Sequence, residues 1–421
     1  MKRLFLLGSI VLSGFFAHGQ TPLTLDSCYA RARQQFPLIK QKELIEQTKD
    51  YNVANAAKGY LPQLNFNGQA TYQSNVTSFP DVQIPNFNIT IPTVSKGQFN
   101  IHGEIDQTIY DGGAIKQQQE LQTANSDIQQ QNVEIQLYAL KDRINQIFFG
   151  TLLIDEQLKQ NALLQKDLQN SIDRMQTSVN NGVVLSSNLN ELEAELLQQK
   201  QNEVSLKAGR KAYLDMLGIF INLPLDENTV LEKPHTAILS DNIARPELFL
   251  YDFQKKSDDI QGKMLKVGVR PKFIFFFQGG YALPGLNAFD VNPAPYYITG
   301  FRLSWSLGGY YTMKNQLAIL NIDKQALDIQ RESFLFNTRL MLKQQNAEVV
   351  KLEQLIVMDN EIITKRTAVK NAAKVQLDNG VITVHDYISY LNAEDVAKQN
   401  LLLHQMQLLL AQYNYQNTSG N

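Results

Sequence analysis

Two stretches without a proline, residues 114–181 and 310–379, constrain this chain more than anything else in it. Each starts just after a glycine pair (Gly112-Gly113, Gly308-Gly309) and ends in Asn-Gly-Val (Asn181-Gly182-Val183, Asn379-Gly380-Val381). Both are rich in Gln, Leu, Lys and Glu. At 1.5 Å per residue, either one continued as a helix would run on the order of 100 Å. Ordinary globular helices are far shorter. A helix of that length needs packing partners along its side, because its stability comes mostly from an apolar face rather than from propensity.

The landmarks recur in one order. Leu61-Pro62-Gln63-Leu64 is answered by Arg270-Pro271-Lys272-Phe273, the first glycine pair by the second, and the first Asn-Gly-Val by the second. Such self-similarity marks an internal two-fold repeat. Repeat 1 takes residues 20–218, with an opening helix (Leu25 to Lys58), strands at about 63–73 and 98–110, a long helix 114–179, a tip 180–184 and a helix 185–217. An inter-repeat segment, 219–244, follows. Repeat 2 takes 245–421, with an opening helix, strands at about 272–281 and 297–307, a long helix 310–378, a tip 378–382, a helix 384–416 and a C-terminal tail.

Apolar periodicity indicates how the long helices pack. Ile319, Ile322, Ala326, Ile329, Ser333, Phe336 and Leu340 follow a 3-4 spacing, while Leu320, Leu327, Phe334 and Met341 form a second stripe every seven residues. Leu137, Leu140, Ile144, Ile147, Thr151, Ile154 and Leu158 do the same in the first repeat. A two-helix coiled coil needs one seam. Two adjacent seams fit a helix with a neighbour on either side, as in the wall of a cylinder; a wide-faced helical bundle is the other reading.

Four segments alternate at period two. Leu64, Phe66, Gly68, Ala70 and Tyr72 oppose Asn65, Asn67, Gln69 and Thr71. Phe99, Ile101, Gly103, Ile105 and Ile109 oppose Asn100, His102, Glu104, Asp106 and Thr108. Phe273, Phe275, Phe277 and Tyr281 oppose Lys272, Ile274, Phe276 and Gln278, a less clean division. Tyr297, Phe301, Leu303, Trp305 and Leu307 oppose Gly300, Arg302, Ser304 and Ser306. Each run has the length of a tilted strand crossing a bilayer, and the polar face suits a wet lumen holding His102, Glu104, Asp106 and Arg302. Four strands cannot close a barrel, and open edges do not persist in lipid. Copies of the chain must therefore share one barrel; two, three or four copies satisfy the strand count. The fold class expected is an α+β membrane protein, with four membrane β-strands per protomer in a shared oligomeric β-barrel and long helical hairpins forming a periplasmic α-barrel tunnel.

The ends and composition agree with export. Lys2 and Arg3, the apolar run Leu4 to Phe16 and Ala17-His18-Gly19 read as a signal peptide over residues 1–19. Cys28 is the only cysteine, so no internal disulfide forms, and Leu25-Asp26-Ser27 before it is not the pattern of a lipid-anchored protein. A core-packed thiol is expected there. A net charge of −2 gives no sign of nucleic-acid binding. The five histidines are scattered, with no HExxH and no phosphate-binding glycine loop, so neither catalysis, a metal nor a cofactor is expected.

Signal peptide, duplicated strand and helix hairpins, glycine pairs and Asn-Gly-Val tips together resemble the TolC family of outer-membrane efflux proteins, over essentially the whole mature chain. The resemblance implies a trimer with a twelve-stranded barrel in the outer membrane of a Gram-negative bacterium, above a periplasmic tunnel. It implies an efflux or type I secretion duct working with a periplasmic adaptor and an inner-membrane pump. Adaptor hairpins would meet Asn181, Gly182, Val183, Asn379, Gly380 and Val381; each Asn-Gly also serves simply as a turn.

The same resemblance implies a periplasmic gate after the second tip. Its acidic positions fall on Asp386 and Ser389, and in the first repeat on Asn188, preceded by Ser187. Only Asp386 is a carboxylate, and a helix-start carboxylate favoured by the dipole is its other reading. The competing classes are a periplasmic adaptor, which needs one helical hairpin between soluble β domains, and a long-helix structural envelope protein, which needs no alternating runs.

Overall fold

In a computed structural model, the chain is described over residues 22–78, 93–287 and 290–421, with the backbone of 83–84 and 87–88. The expected signal peptide lies outside the described residues. The helices are α1 (Leu25–Gln35), α2 (Ile39–Ala57), α3 (Ala114–Tyr138), α4 (Leu140–Asn180), α5 (Ser186–Ile221), α6 (Glu247–Gly268), α7 (Gly309–Asp378) and α8 (Val384–Ser419). The strands are β1 (Gln63–Tyr72), β2 (Gln83–Ile84), β3 (Phe87–Asn88), β4 (Gly97–Tyr110), β5 (Lys272–Leu283) and β6 (Ala294–Ser304). No described helix is long and apolar enough to cross a membrane.

The chain divides into two compact units. One takes residues 38–136 and 245–337 and holds an antiparallel sheet in the order β1-β4-β5-β6. Its register carries the alternation across strands. Leu64 pairs with Ile105, Ile105 with Phe277 and Phe277 with Thr299, while Asn65 pairs with Glu104, Glu104 with Gln278 and Gln278 with Ile298. One face is therefore mostly apolar, interrupted by Gln107 and Thr299, with ring contacts between Phe275 and Phe301 (5.5 Å) and Phe277 and Tyr297 (6.3 Å). A bulge near the end of β4 makes Ile109 the extra residue and sets Tyr110 opposite Phe273. Ile109 thus leaves the row that strict alternation assigns it. β6 starts earlier than the sequence pattern suggests because Ala294 and Pro295 pair with β5; Trp305, expected inside the strand, instead donates its indole N–H to Val269 O at 2.9 Å.

In the same unit α6 covers only one of the two stripes on α7. Phe334 meets Tyr251 at 6.4 Å between ring centroids, and Leu317 and Leu320 sit against Gly262. Lys255–Asp328 and Lys324–Asp259 ion pairs flank this seam. The other stripe, Ile319, Ile322, Ile329 and Phe336, remains exposed.

The other unit takes the described residues up to Pro37 with 137–244 and 338–421, and is helical. Its core holds Leu25, Cys28 and Ala32 of α1, Ile144, Phe148 and Phe149 of α4, and Leu214, Leu217 and Ile221 of α5. Phe149 packs on Tyr413 of α8 at 5.4 Å. Burial pushes the Cys28 thiol up to about 12, so it is an inert packing group. The opening helix breaks after Gln35 because the residue before Pro37 is driven to extended backbone, with Phe36 at ψ 130°. The first long helix is interrupted at Ala139, whereas α7 is one helix of 70 residues. Between α5 and α6 the chain is irregular apart from a parallel bridge of Leu231 to Leu23.

Candidate functional sites: helix tips and the polar face of the sheet

Both tips close by the same backbone device. At the first, Gly182 has φ +68°, its N–H donates to Val179 O (2.9 Å), and Val183 N–H donates to Ser178 O (3.0 Å). At the second, Gly380 has φ +70°, with Gly380 N–H to Leu377 O (2.9 Å) and Val381 N–H to Gln376 O (2.8 Å). These are Schellman closures, which need a left-handed residue just past the cap. Asn181, Gly182, Val183, Asn379, Gly380 and Val381 are all exposed, so each tip offers a bare valine to solvent.

Behind the tips lies a shared core. Leu164, Leu168, Ile172 and Met175 of α4, Leu189, Leu192 and Leu196 of α5, Ala373 of α7, and Val384, Tyr387, Ile388 and Leu391 of α8 form one cluster. Val179, Val184, Leu377 and Ile382 pack on it from the tips themselves. Arg174 of α4 reaches Asp378 of α7 at 3.4 Å. Higher up, the nearly buried Glu394 takes Lys370 at 3.0 Å, Lys398 at 3.2 Å and the Thr367 hydroxyl at 2.6 Å. Burial raises the Glu394 carboxyl, but those hydrogen bonds and charges outweigh it and hold the group below its usual range. Nothing in the sequence spacing announces the Lys370–Glu394 contact; only Glu394–Lys398, four apart on one helix, was legible.

Of the expected gate residues, Ser187 and Ser389 are exposed and Asn188 is half-buried. Asp386 is exposed but occupied. It sits in the first turn of α8, because the helix begins only at Val384. Its carboxylate accepts the Thr383 N–H (3.1 Å) and hydroxyl (2.6 Å), while its own N–H donates to the Thr383 hydroxyl oxygen (3.1 Å). This capping box was visible as Thr-x-x-Asp and gives weight to the helix-start reading. The Thr383 hydroxyl and backbone N–H hold the Asp386 carboxyl below its ordinary range.

On the sheet, His102, Glu104, Asp106 and Arg302 share the polar face. His102 Nδ1 lies 3.0 Å from Asn100 Oδ1, which also accepts the Tyr296 hydroxyl at 2.8 Å. Arg302 reaches Glu104 at 2.8 Å and Asp106 at 3.5 Å. Among the described residues no group of three or more His, Cys, Asp or Glu could hold a metal ion.

The family model for outer membrane efflux proteins matches residues 28–216, which include β1, β4, the first tip and α5 as far as Met216. That segment is 189 of the 421 residues, and over it the chain is similar to the outer membrane efflux proteins. The fold of the chain is also that of solved channels. It resembles the Neisseria gonorrhoeae MtrE outer membrane channel in its open state (TM-score 0.63, 12% identity, 94% of this chain and 89% of that one). The Campylobacter jejuni CmeC outer membrane channel is similar (0.62, 11%, 94% and 85%), as is the outer membrane protein VceC of Vibrio cholerae (0.61, 11%, 94% and 96%). No match is found among the curated proteins.

Proposed function

We propose that this chain is an outer-membrane efflux protein of the TolC family and one protomer of a trimeric duct, with twelve strands closing a barrel in the outer membrane and the helical unit walling a periplasmic tunnel. The observation that carries the reading is the sheet. Within one chain β1 and β6 each have an unpaired outer edge, and the apolar face, including Phe66, Phe301 and Leu303, is exposed. Neither condition persists in lipid unless the edges of neighbouring copies pair. The uncovered Ile319–Ile322–Ile329–Phe336 stripe on α7 supports the same arrangement, since a second seam awaits a second neighbour.

The tips, with their exposed valines, are the docking points for a periplasmic adaptor, which joins the duct to an inner-membrane pump. Asp386, Ser389, Ser187 and Asn188 line the periplasmic end, where one carboxylate per copy makes a weak acidic ring. Purified protein added to planar lipid bilayers is expected to give discrete single-channel steps. A protein that inserts but conducts no current would overturn the duct.

A further inference from the structure

The polar face of the sheet carries a contact that the barrel does not require. Arg302 stands on β6 and its two carboxylate partners stand on β4, with the whole of β5 between them. Its side chain crosses that strand over the ring of Phe276, with the guanidinium carbon 4.8 Å from the ring centroid. Gly300, opposite Phe276, leaves the ring its room: a Cβ there would stand 3.3 Å from Phe276 Cε1. From this platform Nη2 reaches Glu104 Oε1 at 2.8 Å and Nη1 comes within 3.5 Å of Asp106 Oδ1. The carboxylates are largely covered, with side chains 17% and 23% exposed, while Arg302 is 47% exposed.

We propose that Arg302 masks Glu104 and Asp106 and so sets the ion selectivity of the membrane part of the duct. The proposal rests on the barrel reading, in which this face lines the lumen. On the described strands the other charged side chain of the face is Lys272, at the end of β5. One guanidinium held across two carboxylates therefore lowers the fixed charge at this level from −2 to −1 per chain. Only arginine fits the role, since its planar fork offers separate nitrogens to two acceptors and stacks on an aromatic ring at once.

Reversal potentials in planar bilayers under a salt gradient test the mask. Arg302→Ala is expected to raise the cation-to-anion permeability ratio at least about threefold near 0.1 M salt. The change should shrink toward the parent value at 1 M, where screening shortens to about 3 Å. The pair Glu104→Gln and Asp106→Asn should shift the ratio the other way, and all three substitutions together should bring it between those two extremes. Ser304→Cys reports the face independently. If that thiol reacts with a membrane-impermeant reagent while Arg302→Ala leaves the ratio unchanged, the mask is refuted and the barrel stands. If the thiol is inert, the lumen assignment of this face fails first.

Discussion

Thr383 and Asp386 cap one another at the start of α8, through a 2.6 Å hydroxyl-to-carboxylate bond and a 3.1 Å amide-to-hydroxyl bond. The residue that resemblance places in the gate is thus also the residue that starts the returning helix. Thr383→Ala is expected to speed amide exchange in the first turn of α8 by roughly fivefold, the size of losing one N-cap. Exchange measured by mass spectrometry on peptides covering residues 383–390 checks it.

The same pair sets a pH dependence. Asp386 is held low by the Thr383 hydroxyl first and its backbone N–H second. A depressed folded value contributes stability that is fully present above the unfolded carboxyl pKa of about 3.9 and is lost as pH falls through the folded value. After correction for intrinsic exchange rates, protection of this turn should hold from pH 7 to about 4 and fall below it. In Asp386→Asn it should lack that step. In bilayers, Asp386→Ala should alter cation block of the current only modestly, because Ser389 supplies no second carboxylate to the ring.

Gly182→Val and Gly380→Val should distort the tips and leave the barrel assembled. No atom lies within 4 Å of a Cβ built at either glycine, so the cost is backbone strain at positive φ, about 1–2 kcal/mol. Binding of the protein to its adaptor should weaken while heat-modifiable migration stays as in the parent. Loss of assembly in both variants would show that the tips are needed for folding rather than docking.

Tyr387 separates packing from hydrogen bonding in the tip core. Its ring is buried and its hydroxyl lies 3.4 Å from the Ser171 hydroxyl. Tyr387→Phe should be close to neutral, whereas Tyr387→Ala should cost about 3–5 kcal/mol of local stability. Hydrogen exchange across residues 164–175 and 384–391 reads both.

Much of the fold was legible because it is periodic. Alternation in Leu64–Tyr72 and Phe99–Ile105 depends on one physical division, apolar on one face and polar on the other, and the register carries it from β1 to β4 while Ile274, Phe276 and Ile298 blur it on β5 and β6. The proline-free stretches gave the long helices, and Asn-Gly-Val gave the tips, since glycine there needs positive φ. What the sequence hid is tertiary. The bulge at Ile109, the interruption at Ala139 and the Lys370–Glu394 and Arg302–Glu104 contacts join or shift residues through packing that no spacing encodes. The helix start that makes Asp386 a capping residue is written in the sequence as Thr383-x-x-Asp386.

The sharing of one barrel by several copies is the central claim, and it follows from two sheet edges that have no strand partner among the described residues and from four strands of membrane-spanning length. Native mass spectrometry of the detergent-extracted protein measures it directly. The account predicts a complex of three chains that persists until the detergent shell is stripped. A single chain that remains folded and conducts current in a lipid bilayer would contradict it.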